Sequence, residues 1–307
     1  MAITNWPEID FNKWKETLFT LQLWTQIVGK IRLQAMPWLN HSWHVTLYVT
    51  PRGLSTGNMP YQDGSFEIEF NFHQHIVTIF TSTGNNEEVK LYPRSVADFY
   101  KELFTKLKHA GVEININPLP NEIENAISFE KDETHKTYNK EHVQHYWKAL
   151  VQVNNVFLKF RAGFRGKCSP VHFFWGAFDL AVTRFSGREA PEYSNAMPNI
   201  PLRVMQEAYS HEVSSCGFWP GSEAFPKAAF YAYCYPTPKE FSEQHVEPEQ
   251  AFYSSEMGEF FLLYDDVRKS ANPEETLLRF LNTTYEAAAN TGNWKRAMLE
   301  CDLSSFK

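Results

Sequence analysis

The run from Lys167 to Arg188 sets ionisable side chains inside an otherwise apolar, strand-like stretch. A strand covered on both faces tolerates His172, Asp179 and Arg184 only if each is paired, because an unpaired buried charge is strongly unfavourable. Such pairs are either structural clamps or parts of a site. Side chains alternate along a strand, so one continuous strand puts His172, Phe174, Phe178 and Arg184 on one face and Trp175 and Asp179 on the other. His172 and Asp179 then meet only if Gly176 hosts a bulge.

Upstream, apolar residues from Phe11 to Leu33 recur at the 3.6-residue period and predict a helix. Trp43 to Thr50 alternates as a strand and stops at Pro51 to Gly53. Phe66 to Phe72 is a clear half-buried strand, followed by Ile76 to Thr81 and Val89 to Tyr92. His73 and His75 fall in the turn between two of these strands, with no third ligand beside them, which predicts a solvated turn. Ser95 caps a helix from Val96 to His109, and Val112 to Ile116 reads as one more strand.

Residues 121–138 lack periodicity and are rich in Pro, Asn, Glu and Asp, the composition of a surface crossing between a first unit (1–120) and a second (139–307). The second half repeats the order of the first. A helix over 140–161 precedes strands at Phe173–Phe185, 228–235 and 260–264, and a helix from Pro273 to Ala289 closes it. His142 and His145 lie on a polar first turn without a His-Glu-x-x-His pattern, which is a solvated helix face. The fold expectation is therefore α+β, with two helix, antiparallel-sheet, helix units that are candidates for an internal duplication and whose sheets grip long helices.

Composition bounds what such a fold can do. The 307 residues carry a formal charge of -7 with no dense Lys/Arg cluster, which argues against a nucleic-acid partner. There is no signal-peptide pattern and no apolar run of spanning length, so a cytoplasmic protein without a membrane partner is expected. Four widely spaced cysteines predict inert thiols in a reducing compartment. Glycine-rich phosphate loops are absent, and no cofactor is indicated. The unusual number is 16% aromatic residues with nine Trp, enough both to fill a core and to wall a cavity.

Three strings carry a resemblance: Leu23–Lys30, Gly166–Gly187 and Tyr209–Gly221. Across nearly the whole chain the sequence resembles a bacterial family catalogued only as a domain of unknown function, number 5996. That resemblance brings no activity or catalytic residue with it.

Candidate residues must come from the strings themselves. Ser210 to Gly221, with its small hydroxyl residues, two glycines and a proline, reads as a loop shaped around something, and His211 and Glu212 supply a base and a carboxylate. The favoured expectation is a small-molecule binder or metal-independent enzyme. Trp43, Trp175 and Trp219 would wall the cavity, Arg184 or Lys167 would hold an anionic group, and His172, His211, Glu212 and Asp179 would carry the chemistry. One alternative is a metalloprotein using His44, His172, His211 and Glu212. A structural or partner-binding protein with a satisfied polar core is the other.

Overall fold

Asp10 opens the first helix by accepting from the Asn12 backbone N–H at 3.1 Å, and α1 then runs over Phe11–Ala35. Trp14, Leu21, Trp24, Ile27 and even Gln26 and Lys30 are buried along it, so α1 is covered on nearly every side and lies inside the protein. The structure, a computed structural model, describes residues 6–303.

The first sheet follows, built from β1 (Tyr48–Val49), β2 (Gly53–Ser55), β3 (Met59–Tyr61), β4 (Gly64–Asn71), β5 (Ile76–Thr81) and β6 (Glu87–Lys90). Its order is β1-β2-β4-β5-β6 with β3 beside β4, and every pairing is antiparallel. Helix α2 (Val96–His109) is capped by Ser95, and Phe99 on it stacks against Trp24 of α1 at 4.8 Å between ring centres.

The second half opens with α3 (Lys140–Ala162), capped by Asn139. It continues through β7 (His172–Phe174), β8 (Asp179–Glu189), α4 (Leu202–Ala208), β9 (His211–Trp219), β10 (Ala229–Tyr235), β11 (Phe252–Ser254) and β12 (Glu259–Leu263). Helices α5 (Tyr264–Lys269), α6 (Pro273–Thr291) and α7 (Arg296–Leu299) close the chain. The second sheet is also antiparallel, ordered β11-β12-β10-β9-β8-β7. Leu180, Val182, Phe218, Phe230 and Leu262 are fully buried on its helix side, where α3 and α6 pack. Reciprocal backbone bonds between Leu47 and Phe173, both 2.9 Å, join the two sheets edge to edge. A single hydrophobic cluster runs through both halves, from Trp6 to Ala289.

The fold is thus α+β as the sequence predicts, with the long helices where periodicity places them. Five local expectations need correction. The Lys167–Arg188 run is not one strand but the hairpin β7–β8. Ser210–Gly221 is not a shaped loop, since most of it is β9, a central strand. The expected strand over Trp43–Thr50 shrinks to Tyr48–Val49, because His41 and Ser42 adopt positive φ and turn the chain just before it. The expected strand at Val112–Ile116 is irregular, since the Val112 N–H closes α2 onto Leu107 and the Glu113 N–H is taken by the Tyr61 hydroxyl. His73 and His75 do occupy a turn, yet His75 is buried against the Tyr138 hydroxyl at 2.9 Å instead of being solvated. Among the described residues no helix is long and apolar enough to cross a membrane.

Candidate functional site

The β7–β8 hairpin decides what shares a face. Its turn spans Trp175 to Phe178, and the register pairs Phe174 with Asp179 and His172 with Ala181. Paired residues of adjacent strands project to the same side. His172 and Asp179 therefore do share a face, through the turn and without a bulge at Gly176. The turn is held by the Phe178 N–H donating to the Phe174 carbonyl at 2.8 Å and by the Tyr146 hydroxyl donating to the Phe178 carbonyl at 3.0 Å. Phe178 sits at φ +63°, an uncommon conformation for a bulky residue, fixed here by burial and these two bonds.

The face opposite α3 and α6 forms the floor of a cleft beneath α4. Asp179, Ala181 and Thr183 of β8 lie on it with Ser215 of β9 and Tyr231 and Tyr233 of β10. Tyr231 stands two strands away from Asp179, yet its hydroxyl donates to Asp179 Oδ2. Gly217 makes this possible: a Cβ there would come 2.3 Å from the Tyr231 hydroxyl oxygen, so the phenol crosses β9 only because that position has no side chain. Thr183 and Ser215 hydroxyls meet at 2.8 Å, and those of Tyr209 and Tyr233 at 3.0 Å, giving the floor a hydroxyl-lined surface.

Glu122 overhangs this floor. It lies in the 121–138 crossing, which here is an inner wall and not only a surface link. The crossing is pinned to α1 by a reciprocal pair, Asn121 N–H to Gln26 Oε1 at 2.9 Å and Gln26 Nε2 to the Asn121 carbonyl at 3.0 Å. On the other side the Glu122 N–H donates to the Pro198 carbonyl at 2.9 Å. Glu122 takes φ +59° in this knot. Its carboxylate rests where a side chain on Gly176 would be, with Oε1 1.8 Å from the position a Cβ would take. The space between floor and roof has two lobes that share Glu122, Phe174 and His41. The inner one, over Asp179, holds about 260 Å³, and the outer one, beside Trp175 and His44, about 520 Å³.

The inner lobe is acidic and weakly solvated. Burial pushes the Asp179 carboxyl up to about 6, against which the Tyr231 bond pulls down. Burial lifts Glu122 to about 7, and Glu259, at the start of β12, also to about 7, the Asp179 charge adding to the rise in both. No lysine or arginine offsets these shifts. Burial likewise raises Tyr231 and Tyr209 well above the ordinary phenol range, and lifts Tyr233 to about 12.

The opposite end of the inner lobe is basic. Lys167 Nζ lies 2.5 Å from His41 Nε2, while His41 Nδ1 is 2.9 Å from the Glu207 carbonyl oxygen. An ammonium donating to Nε2 puts the His41 proton on Nδ1, where it donates to Glu207. Burial lowers His41 and keeps it neutral. The Lys167 ammonium lies 5.6 Å from the centre of the Trp43 ring and 5.1 Å from that of Phe185.

A family model for DUF5996, a family of unknown function, matches residues 6–301. The chain belongs to that family. No curated protein and no solved structure matches it. Membership in DUF5996 agrees with the resemblance carried by the three sequence strings and names no chemistry, so the geometry has to speak for it.

Of the residues singled out in the sequence, Asp179 and Trp43 line the inner lobe, Trp175 and His44 line the outer one, and Lys167 stands at the basic end. His211 reaches the same end, its ring 6.0 Å from that of His41. Others are not brought there. Arg184 points to the helix side, its guanidinium 3.5 Å from the Phe160 ring centre and 4.3 Å from that of Tyr285, donating to the Phe160 carbonyl. Glu212 also faces away and is clamped by Arg188 at 2.6 Å. Trp219 stacks on Phe225, outside the cleft lining. His172 is on the cleft side but only 1% exposed, packed among Trp43, Tyr48 and Phe174 with both ring nitrogens unbonded, and burial drives it down to about 3.

The four residues of the metal alternative are thus dispersed, and among the described residues no group of three or more His, Cys, Asp or Glu is placed to hold a metal ion. The cysteines are free thiols, and burial raises Cys168 to about 11 and Cys234 to about 12, which keeps them protonated and unreactive at neutral pH.

Four contributors to the site were not singled out: Glu122, Tyr209, Tyr231 and His41. Only Tyr231 left a local trace, in the alternation of Tyr231, Tyr233 and Tyr235 along one face of β10. Glu122 left none, because its burial comes from loops far apart in sequence.

Proposed function

We propose that this protein binds a small organic molecule in the cleft beneath α4 and exchanges a proton with it through Asp179, without a metal. The observation that carries this reading is the pairing of Tyr231 with Asp179 in the wall of a cavity, with the Glu122 carboxylate facing the same space and accepting no hydrogen bond from any described residue. A carboxyl lifted to about 6 is mostly ionised at neutral pH yet takes up a proton far more readily than an ordinary aspartate, which suits a proton acceptor that must also give the proton back. Tyr231 orients it and stabilises its charged form. Trp43 walls the space, and Lys167, steadied by His41, is suited to an anionic group on the ligand. His172 serves packing, since a histidine held so far below its ordinary range stays neutral. The shared order of helix, antiparallel sheet and helix supports reading the two halves as copies of one unit, with the Leu47–Phe173 bridge between their first strands.

Native mass spectrometry of the purified protein, with metal analysis of the same sample, tests this. The expected result is a retained organic mass without stoichiometric metal, lost when Ala181→Trp fills the floor of the inner lobe. A stoichiometric metal, or an organic mass that survives Ala181→Trp, would refute it.

A further inference from the structure

We infer that the inner lobe is built for an organic ammonium group, a protonated amine carried on an apolar or aromatic body. This rests on the reading of the cleft as a ligand site and adds the class of ligand.

The Asp179 charge acts on Glu122, which lines the lobe with it, and on Glu259 at the start of β12, and none of the three has an ion-pair partner among the described residues. Glu122 is the most telling, because its carboxylate is largely buried, accepts no hydrogen bond, and is directed into the lobe by a knot of backbone bonds on both sides. Burying a carboxylate without a partner is unfavourable, and these groups accordingly hold protons that they would lose in water. A bound cation removes that penalty.

Size and walls then select the kind of cation. The lobe's 260 Å³ far exceeds a bare metal ion, and the described carboxyls are not grouped as metal ligands. Tyr209, Tyr231 and Tyr233 present phenol rings, hydroxyls and buried oxygens around the acidic end, which suits an ammonium through hydrogen bonds and ring faces. Beyond them Ala181, Phe174 and Met205 offer apolar area for the body of the ligand. Of the cations near the cleft, Arg203 lines the outer lobe beside Glu207, and Lys167 stands by His41 with Glu207 as its neighbouring carboxylate, so neither cation neutralises Asp179 or Glu122.

Proton linkage gives the signature. An ammonium binds the ionised carboxyls, so its affinity rises with pH as Asp179, Glu122 and Glu259 lose protons. The groups that act on or contact Asp179 are Glu122 from the crossing, Tyr231 and Tyr233 from β10, Glu259 from β12 and, from the helix side of the sheet, Tyr146 of α3, whose hydroxyl bonds the Phe178 carbonyl. The phenols stay protonated over this range, which leaves the three carboxyls as the groups that titrate.

The test is isothermal titration calorimetry on the full chain with three probes of one shape: 2-phenylethylammonium, 2-phenylethanol and phenylacetate. At about pH 7.5 the ammonium should bind at least about tenfold tighter than the alcohol, and phenylacetate should be weakest. That preference should fall by about fivefold or more at about pH 5.5, and likewise in Glu122→Gln, a near-isosteric change whose thermal transition confirms folding. Equal binding of ammonium and alcohol would overturn the ammonium inference while leaving the cleft as a ligand site. Tighter binding of phenylacetate, displacement of the ammonium by magnesium or calcium, or no binding of any probe at about 10 mM would also overturn it. The cleft itself stands or falls separately, on the retained mass and its loss in Ala181→Trp.

Discussion

Tyr231 reaches Asp179 across β9, over the bare backbone of Gly217, and this contact joins three adjacent strands into one polar site. Neither partner is near the other in sequence, and the glycine between them contributes only the absence of a side chain.

Gly217→Ala and Tyr231→Phe should therefore damage the same interaction. Each is expected to destabilise the fold by about 1–3 kcal/mol, through displaced packing in the first and a lost bond to a buried carboxyl in the second. Chemical denaturation of the two single variants and the double variant checks this. The double variant should lose clearly less than the sum, because both changes break the same Tyr231–Asp179 bond, which can be lost only once.

Asp179→Asn should change how stability depends on pH. Asp179 binds its proton more tightly when folded, with its carboxyl lifted from 3.8 to about 6, so it favours the folded state at low pH. That advantage fades as pH rises from about 4 to about 7, a loss on the order of 3 kcal/mol at a little over 1.3 kcal/mol per unit. Unfolding free energies measured across that window should fall more steeply for the wild type than for Asp179→Asn. Parallel profiles would contradict the buried, raised carboxyl.

His172→Leu makes the opposite prediction at acid pH. A histidine held down near 3 when folded takes up its proton on unfolding, so the wild type loses stability as pH falls below about 6.5. The loss should reach about 2 kcal/mol by pH 5. Replacing the ring with leucine of similar volume should remove that slope, which acid titration of the thermal midpoint measures directly.

Gly176→Ala separates site from fold. A methyl group there meets the end of the flexible Glu122 side chain and no backbone atom, and the glycine does not require positive φ. Stability should change by less than about 1 kcal/mol. The Glu122 carboxylate must swing out of its place, so ligand binding in the cleft should weaken several-fold, as read by calorimetry with the same ammonium probe.

The sequence by itself determined the elements whose signal is local. Helices over Phe11–Ala35, Val96–His109, Lys140–Ala162 and Pro273–Thr291 follow from apolar periodicity and from caps such as Ser95, and β4 and β5 follow from alternation. It also singled out His172, Asp179 and Arg184 as charges out of keeping with an apolar stretch, and Trp43, Trp175 and Lys167 as candidates for lining a cavity. Which of the charges in that stretch share a face was decided only by tertiary structure. A four-residue turn between Phe174 and Asp179 reversed the parity of every side chain after it, which sent Arg184 to the helices and Asp179 to the cleft. Glu122 depends on the same level: a carboxylate in an irregular crossing becomes a buried wall only when α1 and the loop around Pro198 close on it from both sides. Alternation and periodicity are properties of neighbours along the chain, whereas burial and pairing arise from residues that meet across it.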